Sequence, residues 1–174
     1  MKSRDIAIVG ILLAVGAILR YFLAMLHTPL TPNMIIAFYC LAIILISPKI
    51  YEAFGIGIVA GILSMLISGS IFPPANLISE PIGALVCFGV YAAIKNRSKI
   101  SPSIATFITT LASGFTFAAI AIIAVAPQII TKYATMGGFM LVFVPIVVIT
   151  AIFNAVIVQL LYIPSSRVLM RGQE

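Results

Sequence analysis

Six long apolar runs, at 5–26, 33–47, 51–68, 76–95, 103–126 and 136–163, take up most of this 174-residue chain, and its charges sit almost wholly between or beyond them. A helix that crosses a bilayer needs about 17–25 residues. In hydrocarbon each backbone N–H and C=O must find its partner within the protein, so only helices and closed barrels can span. Uninterrupted apolar runs lack the in–out alternation of a barrel strand. Charged residues make up 8% of the chain, against ~25% in a soluble domain, too few to cover a water-facing surface. The sequence therefore predicts an all-α membrane protein, a six-transmembrane-helix bundle, with 1–174 forming a single integral membrane domain. The second run is short, so it is expected to tilt, re-enter or extend into its flanks. The sixth is long and carries Pro145, which predicts a kink or an extension past the bilayer. The first run is too long for a secretory signal and has no clear small-x-small cleavage site, so it is expected to stay in the bundle.

The formal net charge of +6 is a matter of topology. Lys2 and Arg4 precede the first run, Lys49 follows the second, Lys95, Arg97 and Lys99 follow the fourth, and Arg167 and Arg171 follow the sixth. Only Arg20 and Lys132 fall toward the opposite side. Cytoplasmic loops of membrane proteins carry excess Lys and Arg. The pattern predicts an even helix count, both termini cytoplasmic, and a multi-pass protein of a prokaryotic cytoplasmic membrane; it argues against a nucleic-acid partner. No G-x-x-x-x-G-K-[ST] phosphate loop occurs, so the chain carries no nucleotide motor of its own. Cys40 and Cys87 lie singly in apolar runs and are expected as buried small side chains, with no metal site and no cofactor. The chain has one histidine and four acids, Asp5, Glu52, Glu80 and Glu174, which do not pair. No catalytic constellation follows from them, and no enzyme is expected.

The informative residues are the polar ones inside the runs. Arg20 lies within the first, and an ionisable group in a membrane is a functional candidate unless it snorkels to the surface. His27 lies nearer water and is expected to be interfacial. Asn76 and Glu80 are four apart, hence on one helix face; they either line an outer pocket or, for Glu80, cap the helix through the dipole. Asn154, one turn from Thr150, demands partners at mid-bilayer, as interhelical glue or as a ligand contact. Asn33 follows Pro32 and either caps the second helix or meets a ligand. Gln159 is expected to be structural. Among the connections, those at 27–32, 69–75 and 127–138 hold most of the Pro and Gly residues, and either form the mouth of a pocket or simply end helices. Small residues mark three helix faces: Ala7, Gly10, Ala14 and Ala17; Gly57, Gly61, Ser64 and Ser68; and Ser103, Thr106, Thr110 and Ser113. Such stripes let helix backbones approach closely in lipid. The second and third are expected to pack within the bundle, and the first equally well against a membrane partner.

Taken in order along the chain, Met1-Lys2-Ser3-Arg4 before an Ala/Gly-rich helix, Pro32-Asn33-Met34, Gly57-x-x-x-Gly61, Phe72-Pro73, Asn76-Leu77-Ile78 followed by Pro81, Gly137-Gly138-Phe139, Pro145 and Asn154 resemble the bacterial tryptophan-transport protein family. The chain is also similar to the substrate-binding S components of energy-coupling factor (ECF) transporters. It departs from the tryptophan family's pattern at Asn33 and at Ser79-Glu80. The resemblance implies an ECF S-component-like fold that captures its substrate at the outer face. It implies a transmembrane coupling subunit and an ATPase pair as partners, with ATP used only by those partners. Ala7, Gly10, Ala14 and Ala17 would form the face toward the coupling subunit. The first expectation is uptake of tryptophan. Arg20 would hold the carboxylate, Glu80 and Asn76 the amine, and Tyr21, Phe72 and Phe139 the ring, with Asn33 and Asn154 also in the site. The alternatives are the same fold binding a vitamin or vitamin precursor, a solitary ion-coupled carrier, and a ligand-free membrane assembly subunit.

Overall fold

The computed structural model describes residues 1–25 and 32–171, with side chains described as far as Arg167. Helices form α1 (Ser3–Met25), α2 (Ile35–Ile46), α3 (Ile50–Ile67), α4 (Asn76–Ile94), α5 (Ser101–Tyr133) and α6 (Met136–Arg171), with a single 3-10 turn at Pro73–Ala75 and no strand among the described residues. Five of these elements are long and apolar enough to cross a membrane. His27 and most of the first outer connection lie outside the described residues.

The short second run takes a form of its own. At 12 residues, or about 18 Å, α2 is shorter than the ~30 Å hydrocarbon core. It does not meet lipid: Ile35 through Ile44 are all buried, and α2 touches each of the other five helices. A helix apolar on every side belongs inside a bundle, and the longer helices supply its walls. It stops at Ser47, whose N–H makes the last helical bond, to the Ile43 carbonyl, and whose left-handed φ of 49° turns the chain out of the helix, and Pro48 follows.

Close approach, more than burial, holds helices together in lipid. A Cβ at Gly57 would lie 2.6 Å from the Pro81 Cα, and one at Gly61 2.8 Å from the Asn76 carbonyl oxygen. The Gly57-x-x-x-Gly61 stripe is therefore the α3–α4 seam, and it sets the first two turns of α4 hard against α3. Thr106, Thr110 and Ser113 are buried on α5; the Thr106 and Thr110 hydroxyls bond the carbonyls of Pro102 and Thr106, each at 2.9 Å. The third stripe too faces the bundle. The first does not: Ala7, Gly10 and Ala14 are exposed, with only Ala17 partly buried, and no atom lies within 4 Å of a Cβ built on Gly10. The inward face of α1 is Val9, Leu13, Gly16 and Arg20.

One outer feature differs from expectation. The stretch after Pro127 is mostly helical: α5 bends at Val125 (φ −134°, ψ 35°) and continues to Tyr133. A proline removes the N–H that would bond one turn back, so the bend falls just before it. α6 runs through Pro145 and Pro164 for 36 residues, about 54 Å, and so extends past the bilayer.

Candidate functional site

α1 runs from the basic end toward the opposite end, and Arg20 lies near its far end. Asn76 and Glu80 occupy the first two turns of α4, which starts at that same end. The residues meet around a cavity whose water-accessible volume is about 80 Å³. Arg20, Asn33, Asn76, Ser79, Glu80, Thr110, Ser113 and Thr150 supply its polar wall, and Ile36, Phe117, Phe143, Ile146 and Val147 its apolar one.

Arg20 is 4% exposed and Glu80 1% exposed. A charge buried in a protein is costly unless it is paired and hydrogen-bonded, so both need compensation. Glu80 has some: Asn33 Nδ2 donates to its Oε1, and Ser113 Oγ to its Oε2 at 3.2 Å. Tyr39, fully buried, stands within electrostatic reach of the carboxylate. Helix capping is not what Glu80 does. The helix starts at Asn76 with no acid in its first turn, and the carboxylate reaches across to Ser113 on α5 and to Asn33, two residues before α2.

Arg20 is only partly satisfied among the described residues. Its Nε and Nη1 are buried without a hydrogen bond. The ion pairs among the described residues are Met1 with Glu52 and Arg4 with Asp5, so Arg20 and Glu80 share a cavity without closing on each other. A buried donor left open costs about 1–3 kcal/mol, more for a charged group. An anion beside Arg20 would satisfy these donors.

Asn33 is the hub. Its Oδ1 accepts from Ile35 N at 3.2 Å, its Nδ2 donates to Glu80, and its carbonyl accepts from Asn154 Nδ2 at 3.1 Å. Asn154, fully buried, also donates to Thr110 Oγ1 at 3.3 Å. It holds the wall from behind and does not itself line the cavity. Asn76 lines it while donating to the Pro73 carbonyl at 2.7 Å.

The aromatic residues are redistributed. Tyr21 is 55% exposed on the outer surface of α1, edge-on to Phe22, because it sits about 100° round the helix from Arg20; it does not join the cavity. Phe72 packs partly buried beside the aromatic cluster. Phe139 is fully buried one layer back, stacked on Phe143 with centroids 5.2 Å apart. Phe143 in turn stacks on Phe117 at 6.1 Å, and these two form the cavity's aromatic wall. Sequence reasoning passed over Phe117 and Phe143; the spacing of Phe139 and Phe143, four residues on one helix, was the available signal for Phe143. Among the described residues no cluster of His, Cys, Asp or Glu could hold a metal.

A lipid-facing bundle around a buried cavity that carries both signs of charge, with one aromatic wall, defines a multi-pass membrane protein that holds a small molecule. Residues 2–171 match the model of the tryptophan transporter TrpP family, and the chain belongs to that family. It is 27% identical over 166 residues to a probable tryptophan transport protein of Bacillus subtilis (strain 168), covering 93% of this chain and 90% of that one. No solved structure matches it. The family is one of transporters and not of enzymes, and its place is the prokaryotic cytoplasmic membrane.

Proposed function

We propose that this chain captures tryptophan from the outer side of the membrane in the Arg20–Glu80 cavity and delivers it inward. One observation carries the reading: two buried, opposite charges line one cavity without pairing, and a stacked Phe117–Phe143 wall lies beside them. A zwitterionic amino acid satisfies both at once. Its carboxylate meets the open Arg20 donors in a charge-assisted bond, its ammonium meets the lone pairs that Asn33 and Ser113 leave on Glu80, and its ring lies on the aromatic wall. A neutral vitamin leaves both charges unpaired, so specificity follows from the penalty on the wrong ligand.

The basic end, with both chain termini and the loops at Lys49 and Lys95–Lys99, is cytoplasmic in this reading, and the cavity half then faces outward. We further propose that transport is powered by partners, as in an ECF S component: a coupling subunit docks on the exposed Ala7, Gly10 and Ala14 face of α1, and an ATPase pair drives the cycle. The open space around Gly10 supports this face. The test is reconstitution. Proteoliposomes holding this chain alone should bind tryptophan without accumulating it under an imposed ion gradient. Uptake abolished by an uncoupler in those vesicles would replace the partner-driven reading with a solitary ion-coupled carrier. Absence of saturable binding to any amino acid or vitamin would replace both with an assembly subunit.

A further inference from the structure

A second concavity lies at the basic end, between the α4–α5 connection and the C-terminal part of α6. Its water-accessible volume is about 660 Å³, and it is open on one side. Lys95, Arg97, Lys99 and Arg167 line it, and no acidic residue does. None of the four has a carboxylate within 4 Å among the described residues. Topology alone requires cations at this end, but it does not require a cleft. Lys2, Arg4 and Lys49 share the charge rule without lining this cleft.

We infer that this cleft binds the phosphodiester headgroup of an anionic glycerophospholipid of the phosphatidylglycerol type. Charge gives the first argument: converging Lys and Arg side chains recognise a phosphate, and basic pockets between transmembrane helices on the cytoplasmic side hold acidic headgroups. The α5 N-terminus, at Ser101 and Pro102, also opens on the cleft, and the positive end of a helix dipole favours an anion. The second argument is a buried acceptor. Gln159 Nε2 donates to the Lys99 carbonyl at 3.1 Å, which fixes the amide's orientation and leaves its Oε1 buried with no donor. A phosphate cannot satisfy that oxygen, but a headgroup hydroxyl can. The third is the rim. Ile163 lines the cleft and is exposed, as are neighbouring Ile100 and Leu160, which gives acyl chains an apolar continuation that a free phosphate does not need. Tyr91 and Tyr162 stand at the same level, the depth at which tyrosine sits at membrane interfaces.

The test titrates dioleoylphosphatidylglycerol into the full chain in neutral detergent and follows thermal unfolding by far-UV circular dichroism, with dioleoylphosphatidylcholine and inorganic phosphate as parallel arms. Phosphatidylglycerol should raise the midpoint saturably while the other two do not. Arg97→Gln with Lys99→Gln should weaken the apparent affinity about tenfold. Arg167→Gln, on the other wall, should weaken it as well, and Lys49→Gln, basic but outside the cleft, should leave it within about twofold. These are exposed side chains, so retained helicity in each variant is expected and read from the same spectra. Equal shifts from the zwitterionic lipid, an equal effect from free phosphate, or equal losses at Lys49 and Arg97 would each overturn the proposal.

Discussion

Arg20 and Arg97 are the same residue in two regions that treat it differently. Arg97 lies on an exposed connection at the basic end, solvated and one of several cations there. Arg20 is buried in the opposite half, with two nitrogens unpartnered. An exposed charge costs little and reports which way the chain faces. A buried one costs several kcal/mol and persists where something compensates it. The glycines divide in the same way: Gly57 has a neighbouring backbone where its Cβ would be, and Gly10 has open space.

The largest expected effect breaks the arginine comparison. Arg20→Ala should weaken tryptophan binding by about 2–5 kcal/mol, roughly 30- to several-thousand-fold, as loss of one partner in a buried charge pair does; Arg97→Ala should leave it unchanged. Calorimetric titration of both variants decides. Glu80→Gln keeps the shape and the Ser113 contact but removes the charge. It should cost about 1.5–3 kcal/mol of binding, and affinity for an analogue without the amine should fall less. The glycine comparison comes next. Gly57→Ala must move backbone, so the unfolding midpoint should fall in line with about 1–3 kcal/mol of overpacking, while Gly10→Ala should unfold as the parent does. Asn154→Leu releases the Asn33 carbonyl and should cost about 1 kcal/mol in affinity, with the aromatic wall intact. Last, Tyr21→Ala should leave binding unaltered; a loss of affinity there would place the ring on the wrong side of α1.

Much of this was legible in the sequence, for reasons that differ by element. Apolar runs and basic connections predict helices and their alternation because lipid enforces both. The Gly57–Gly61 seam was legible because close packing needs small residues at fixed spacing. The α2 helix was harder: run length shows that it is short, but only the arrangement of five neighbours makes it the centre of the bundle. Within the cavity, Arg20, Asn33, Asn76 and Glu80 stood out as polar groups in apolar runs. Phe117 and Phe143 did not, since one phenylalanine in a lipid-facing helix looks like another. Tyr21 adjoins Arg20 in sequence, but the angle of about 100° between adjacent residues turns it to the outer surface of α1. The bend at Val125 was hidden because the proline that accompanies it lies two residues later and reads equally well as a loop.

The central claim is that the Arg20–Glu80 cavity holds tryptophan. The chain has no tryptophan of its own, so the ligand's indole emission can be watched against a background without protein tryptophan. Tryptophan would be titrated into the purified chain in detergent while emission wavelength and anisotropy are followed. A saturable blue shift with slowed rotation, reversed by a non-emitting analogue, lost in Arg20→Ala and kept in Tyr21→Ala, is the predicted result. A flat response from folded protein, or an Arg20→Ala variant that binds as the parent does, would contradict it.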